Sequence, residues 1–309
     1  MNLSPRPADH SITSLTTVPT GDRVLGDFVR SAEARLMAAG LPTPRAEARD
    51  LVAAVLERPR FWPSLHPGQL IEPTQARAIR DAVRRRAAGA PFAYAVGRAA
   101  FRFLTLNVDE RVLIPRPETE QLVELVLATP QARRNGVACD VGTGSGAIAL
   151  TLAAEGRFER VIGTDISNDA LAVAARNAAE SSDSLGAPVH FACGNGLAPL
   201  RGVRCDVLVS NPPYIAYEEL GDLPSLVRDW EPSQALCCAD DGLAVTRAIV
   251  ADAPSVLVSR GLLALEVDSR RADQVAACVA DTDWFDEILV RKDLTGRDRF
   301  VTAVRRPDR

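Results

Sequence analysis

Along residues 22–90 the apolar positions recur every three or four residues, the period of an amphipathic helix, and no alternating run interrupts them. The stretch GDFVRSAEARLMAAG puts Phe28, Leu36 and Met37 on one side and ends at Gly40, a natural helix terminator. TPRAEARDLVAAVLE places Thr43 as the capping residue and Pro44 at the first helical position. EPTQARAIRDAVRRRAAG repeats the device with Thr74, ends at Gly89 and carries a basic run, Arg84 to Arg86, that is either a solvated face or a contact to an acidic partner.

The texture changes at Pro91. AAFRFLTLNVDERVLI alternates as two short strands around a turn expected at Asn107 to Glu110. IPRPETEQLVELVLA then opens a helix, with Thr119 near its start and Leu122, Val123, Val126 and Leu127 on its buried side. Beyond Gly136 the runs VACDVG, RVIGTD, VHFACG, CDVLVS and GLLALEV read as strands separated by helical segments, and WFDEILVRKDLTGRDRFVTAVRR reads as two more strands around a turn. The fold class this predicts is α/β: a mostly parallel, seven-stranded sheet with helices on both faces, closed by an antiparallel hairpin. The expected division is a Ser-, Thr- and Pro-rich disordered tail over 1–21, a small helical domain over 22–90, a β-hairpin linker over 91–115 and the α/β domain over 116–309.

Composition narrows the function classes. A formal net charge of -4 argues against a chain whose main business is gripping nucleic-acid phosphates, and no apolar run is long enough to span a bilayer. The six cysteines form no CxxC pair and the three histidines are scattered, so no metal site is expected. Cys139, Cys193 and Cys205 sit in strand-like runs as buried free thiols; the adjacent Cys237 and Cys238 are either small loop residues or a redox pair. This usage fits a reducing cytoplasm.

Two stretches carry chemistry. DVGTGSGAIAL sets Gly142, Gly144 and Gly146, with Thr143 and Ser145 between them, where a strand gives way to a helix. Glycines there let the backbone turn tightly and approach a ligand. The spacing is GxGxG rather than the dinucleotide GxGxxG, and the loop lacks the lysine of a P-loop. Asp140 would repel a pyrophosphate; it either caps the strand end or suits a ligand with a cationic amino-acid end. Asp165 closes the next strand and either forms a turn or accepts hydrogen bonds from two ribose hydroxyls. Together these features favour S-adenosylmethionine over NAD or ATP.

The second stretch is NPPY, Asn211 to Tyr214, directly after the fourth strand. The Asn211 side chain and the Pro212 carbonyl offer two acceptors for the two hydrogens of an NH2 group. Pro212 and Pro213 make that pair rigid, and Tyr214 can stack on a planar amide. A plain strand-terminating turn is the alternative.

These motifs resemble class I S-adenosylmethionine-dependent methyltransferases with a Rossmann-like sheet that act on exocyclic or amide nitrogens. With VDERVLIPRPETEQLVE (Val108 to Glu124), DGL (Asp241 to Leu243) and KDLTGRDRFV (Lys292 to Val301), the chain is similar to the release-factor glutamine methyltransferases from about Gly21 onward. The resemblance implies methylation of the glutamine amide in the GGQ motif of peptide chain release factors, with S-adenosylhomocysteine as product. It places the cofactor on Asp140, Gly142 to Gly146, Asp165, Asn195, Gly196 and Asn211. It places the glutamine on Asn211 to Tyr214, with Arg116, Pro117, Glu118 and Thr119 closing over the site. The chain departs from the family's usual residues at Ala93, Phe103, Gly196, Asp268 and Arg271. A small-molecule amine or amide as acceptor is the alternative these departures leave open; nucleic acid and membrane partners are not expected.

Overall fold

The computed structural model describes residues 24–308, so the tail expected over 1–21 lies outside the described residues. These form two compact units, one ending at Ala87 and the other beginning at Ala88. No helix among them is long and apolar enough to cross a membrane.

The first unit contains helices α1 (Leu25–Ala38), α2 (Pro44–Val55), α3 (Trp62–Leu65) and α4 (Pro73–Ala87). Its core is the shared apolar stripe of α1, α2 and α4: Leu25, Phe28, Leu36, Leu51, Val52, Ile79 and Val83 are all buried. Met37 is 59% exposed, so the buried side of α1 runs through Leu25 and Ala32 instead. Gly40 closes α1 at φ 77, in the left-handed conformation that glycine reaches without a Cβ clash. Thr43 stands at the cap of α2, but its hydroxyl makes no capping bond; its carbonyl receives Glu47 N–H at 3.0 Å. In α4, Pro73 takes the first helical position and moves Thr74 inside the helix, so the capping carbonyl is that of Glu72, 2.8 Å from Ala76 N. The basic run is divided: Arg86 turns inward to Glu47 at 2.6 Å, and Arg84 pairs with Asp81 at 3.0 Å.

The second unit begins with α5 (Phe92–Val96) and the hairpin of β1 (Arg98–Phe101) and β2 (Leu104–Asn107). Its turn is Arg102–Phe103, not the expected Asn107 to Glu110. Arg102 adopts φ 50, a conformation costly for arginine, and three carboxylates hold it there. Its N–H donates to Glu120 at 2.9 Å, and its guanidinium reaches Glu155 at 2.7 Å and Glu124 at 3.1 Å. Contacts that distant along the chain override the local turn preference.

There follow α6 (Pro117–Leu127), β3 (Gly136–Val141), α7 (Ala147–Glu155), β4 (Phe158–Asp165), α8 (Asn168–Glu180), β5 (Val189–Cys193) and β6 (Cys205–Ser210). The chain continues through the short β7 (Ile215–Ala216), α9 (Ser225–Arg228), α10 (Ser233–Leu236), β8 (Cys237–Cys238) and α11 (Ala239–Gly242). It ends with α12 (Ala244–Val256), β9 (Leu257–Glu266), α13 (Ala272–Asp281), β10 (Phe285–Lys292) and β11 (Asp298–Arg305). The seven-stranded sheet has the order β10-β11-β9-β6-β3-β4-β5, with β9, β6, β3, β4 and β5 parallel. β11 runs antiparallel to both its neighbours, as the expected closing hairpin requires.

Alternate residues of the central strands enter opposite cores, because side chains in a strand point to alternate faces. Ala138, Val207 and Val209 pack under α6 and α7; Cys139, Leu208 and Leu263 pack under α12 and α13. Each fully buried Leu or Val contributes about 1.5–3 kcal/mol. Cys139 and Cys205 are buried as expected, whereas Cys193, the last residue of β5, is exposed where the strand leaves the sheet. The chain steps outward from β3 to β4 and β5, then returns to place β6 on the other side of β3. Such a reversal opens a crevice at the carboxyl ends of the two strands, where ligands bind.

Candidate active site

A cavity of about 520 Å³ lies at that crevice. The ends of β3, β4 and β6 supply Gly142, Gly144, Asp165, Asn211, Pro212 and Pro213 to its wall, and the turn after β5 supplies Asn195 and Gly196.

On the glycine side, the backbone does most of the work. Gly142 and Gly144 adopt φ 73 and 55, and a Cβ built on either would meet nothing within 4 Å. Side chains there would therefore extend into open space that the glycines leave free. Asp165 fastens the loop: Oδ2 accepts Gly144 N–H and Oδ1 accepts Ser167 N–H, both at 2.9 Å. Each oxygen keeps a lone pair for a further donor. Gly196, at φ 53, turns the chain past the cavity in a conformation that an aromatic residue would strain.

Asp140, Thr143, Ser145 and Gly146 stand behind this wall rather than in it. Asp140 is wholly buried. Its Oδ2 accepts the Thr143 hydroxyl at 2.6 Å and Ala149 N–H at 3.1 Å, which shapes the loop from beneath. Its Oδ1 has no hydrogen-bond partner among the described residues. Burial pushes its pKa up to about 7, the hydrogen bonds from Thr143 and Ala149 opposing the shift. Ser145 is held through its carbonyl, which receives the Asn177 amide at 2.9 Å. The same Asn177 accepts Asn107 N–H at 2.7 Å, so one buried amide ties the hairpin to the glycine loop.

On the NPPY side, side chains make the geometry. β6 and β9 run parallel with Ser210 opposite Leu265, so the next residues are Asn211, just past the end of β6, and Glu266, the last residue of β9. Asn211 Nδ2 donates to Thr119 Oγ1 at 3.0 Å, and Thr119 Oγ1 donates to Glu266 Oε2 at 2.8 Å. The Tyr214 hydroxyl points to the other oxygen of Glu266 at a longer 3.4 Å. Tyr214 is thus turned toward Glu266 and does not line the cavity, where a stacking ring was expected. Burial pushes the Glu266 carboxyl up to about 7, opposed by the Thr119 hydrogen bond and by Arg299. Burial also pushes the Tyr214 phenol up, and Glu266 adds to the shift.

The backbone after NPPY is pinned in turn. Cys238 Sγ donates to the Pro213 carbonyl at 3.1 Å, and β7 pairs with β8 through Ile215–Cys237 and Ala216–Cys238. Gly242 packs so closely that a Cβ there would sit 2.4 Å from the Tyr214 carbonyl oxygen. This gives the two cysteines and DGL a structural duty against NPPY.

Of the expected closing segment, Thr119 reaches the site through Asn211, while Arg116, Pro117 and Glu118 are not part of the cavity wall. Arg116 pairs with the buried Glu231, which also accepts Ile114 N–H at 3.1 Å. The wall on that side is Arg111 to Leu113, with Ile166 and Tyr217 as further members that sequence reasoning did not single out. Glu266 was the largest omission. Its signal was present: GLLALEV ends an apolar run on a carboxylate, which a buried strand does not carry without a partner.

Two family models match the chain: the PrmC N-terminal domain over residues 27–97 and the methyltransferase small domain over 118–222. A release factor glutamine methyltransferase of Deinococcus radiodurans is 41% identical over 91% of this chain and 98% of its own length. One from Moorella thermoacetica is 41% identical over 93% and 99%. This chain belongs to the release factor glutamine methyltransferase family. A solved methyltransferase of Pyrococcus furiosus, 16% identical, shares the fold with a TM-score of 0.50 over 76% of this chain and 98% of that one. Within the glutamine methyltransferase family, the departures at Asp268 and Arg271 have a local account here. Arg271 bonds Asp268 at 3.1 Å and Glu219 at 3.0 Å, joining the turn after β9 to the turn after β7. Each residue's charge is met by the other's, outside the cavity wall. Phe103, 86% exposed, is the tip of the hairpin, and Ala93 lies half-buried in α5.

Proposed function

We propose that this chain transfers a methyl group from S-adenosylmethionine to the side-chain amide nitrogen of a glutamine, in the GGQ motif of a peptide chain release factor. The observation that carries this reading is the fixed Asn211 amide at the end of β6. Its Nδ2 is committed to Thr119, so Oδ1 is the atom left to accept a hydrogen from an NH2 group. Among the described residues the Pro212 carbonyl accepts no hydrogen bond, whereas the Pro213 carbonyl is taken by Cys238. Asn211 Oδ1 and the Pro212 carbonyl therefore form the acceptor pair for the two amide hydrogens of a glutamine.

The residues of the cavity fit the cofactor. Open space faces Gly142 and Gly144, and Asp165 stands on the wall with carboxylate lone pairs for ribose hydroxyls. Asn195 offers a polar edge to the adenine beside Gly196. Asp140, Thr143, Ser145 and Gly146 keep the loop in shape from behind. When bound, S-adenosylmethionine supplies a methyl group on a cationic sulfur, which leaves as the thioether S-adenosylhomocysteine while the amide nitrogen gives up one proton. With so activated a donor, the protein's contribution is orientation: Asn211 and Pro212 hold the NH2 group so that its nitrogen faces the cavity. The helical unit, with Arg116, Pro117 and Glu118 near the start of α6, is assigned to docking the release factor.

The test is methyl transfer from labelled cofactor to a purified release factor and to its Gln-to-Ala GGQ variant. Label is expected on the intact motif alone. Asn211→Ala should lower the rate about fivefold to a hundredfold or more, the worth of about 1–3 kcal/mol of lost hydrogen bonding in a dry site. Label on neither release factor overturns the assignment of the acceptor.

A further inference from the structure

We infer that Glu266 and Thr119 are positioning residues that set which end of the Asn211 amide faces the acceptor; this rests on the clamp role proposed for Asn211. The three side chains form a one-way relay. Glu266, as a carboxylate, can only accept, and its Oε2 is 2.8 Å from Thr119 Oγ1. A threonine hydroxyl has one hydrogen, and that hydrogen is spent on Glu266. Thr119 Oγ1 can then only accept from Asn211, and the atom 3.0 Å away must be Nδ2 rather than Oδ1.

The orientation matters because the amide ends are opposite in character. With Nδ2 on Thr119, Oδ1 is presented to the acceptor and grips a donor NH2. If the relay were reversed or cut, Asn211 could rotate by half a turn and present its own NH2 to the incoming NH2, two donors facing each other. The carboxylate that specifies the choice is on β9, and the hydroxyl that transmits it is on α6. Both are nearly sealed from solvent, at 1% and 5% exposure, so water does not compete for the relay's hydrogen bonds. The groups facing Glu266 are Arg299 of β11, Glu118 of α6 and Tyr214 after β6. Burial and Glu118 push Glu266 toward the neutral acid, while the hydrogen bonds from Thr119 and Tyr214 and the charge of Arg299 favour the carboxylate, so the relay is fully set above about pH 7.

Sequence pattern alone does not expose this arrangement, and it makes Thr119 an orienting group for the clamp rather than a contact for the substrate. It predicts a specific pattern of loss. Thr119→Val keeps the side-chain shape and removes the hydroxyl; it should lower kcat about tenfold to a hundredfold and leave cofactor affinity within about twofold. Glu266→Leu, which removes the acceptor of the Thr119 hydroxyl, should give a similar loss. Thr119→Ser, which restores the hydroxyl, should recover most of the rate.

The decisive measurement is the double variant Thr119→Val with Glu266→Leu, assayed for label transfer to the release factor beside both single variants and Asn211→Ala. If the residues act as one relay, the double variant is no slower than the slower single one. Independent structural roles would multiply the two losses, and that result overturns the inference. Thermal melting of each variant is followed in parallel, so that a loss of rate is separated from a loss of fold. A release factor labelled by the wild-type chain, together with an undiminished rate in Thr119→Val, overturns the relay alone. A release factor left unlabelled by the wild-type chain overturns both the relay and the assigned acceptor.

Discussion

The two walls of the cavity are built by different means. On the glycine side, the partners are close in the chain: Asp140 and Thr143 are three residues apart, and Gly144 and Asp165 are 21 apart. The ligand-facing groups are largely backbone, with one carboxylate. On the NPPY side, Asn211 is oriented by Thr119, 92 residues away, which is oriented by Glu266, 147 residues further on. The first wall is a local motif that any chain with this strand–loop–helix could carry. The second exists only when β6, β9 and α6 are brought together. In the function proposed above, the portable wall is the one assigned to the cofactor and the assembled wall the one assigned to the acceptor.

If this contrast is correct, damage to the NPPY wall should be sharp and remote in origin. The largest effect is expected at Gly242, which lies across from NPPY and outside the cavity wall. Alanine there must adopt φ 80 and place a Cβ against the Tyr214 carbonyl. Gly242→Ala should cost about 2–4 kcal/mol of stability and displace the clamp, so that the rate falls further than cofactor affinity does. Chemical denaturation and cofactor titration on the same sample check this, and equal losses in both would erase the distinction between the walls.

A change in the glycine wall should instead read out in cofactor binding. Asp165→Ala removes a carboxylate that organises Gly144 and Ser167 and faces the cavity. Cofactor affinity should weaken about tenfold to a hundredfold, as expected for about 1–3 kcal/mol of hydrogen bonding, while a saturated enzyme keeps most of its rate. Calorimetric titration with the cofactor measures the first part, and turnover at saturation the second.

The smallest effect should come from beneath the loop. Folding raises the pKa of Asp140 from 3.8 to about 7, so between those values the folded chain holds a proton that the unfolded chain has released. The contribution of this carboxyl to stability is therefore greatest below that window and is lost as pH rises through about 7. Asp140→Asn removes the titration. Relative to wild type, its melting temperature should climb between about pH 4 and 7 and level off above, with activity little changed across that range. A pH-independent difference would mean that Asp140 is not held in the buried form described.

The same division explains how much could be seen before folding. Strand and helix alternation after Gly136 was legible because hydrophobic period is a local property, and the parallel sheet follows from it. The glycine loop and Asp165 were legible because their spacing is itself the geometry. Errors fell where distant charges decide local form. Arg102 occupies a left-handed turn that Glu120, Glu124 and Glu155 hold open, so the hairpin reverses five residues earlier than its turn-forming residues suggest. Met37 lies at helical spacing but is exposed.

What the amino-acid order determined by itself, then, was the class of sheet, the place of the crevice and the residues of both motifs. Periodicity and short spacings carry that information, and each survives without knowledge of what packs nearby. The tertiary structure alone decided that Tyr214 turns away from the cavity toward Glu266, that Thr119 serves Asn211, and that Asp140 lies beneath its loop. Hydrogen-bond direction depends on which donor meets which acceptor, and here the partners are supplied by strands and helices that are neighbours only in space.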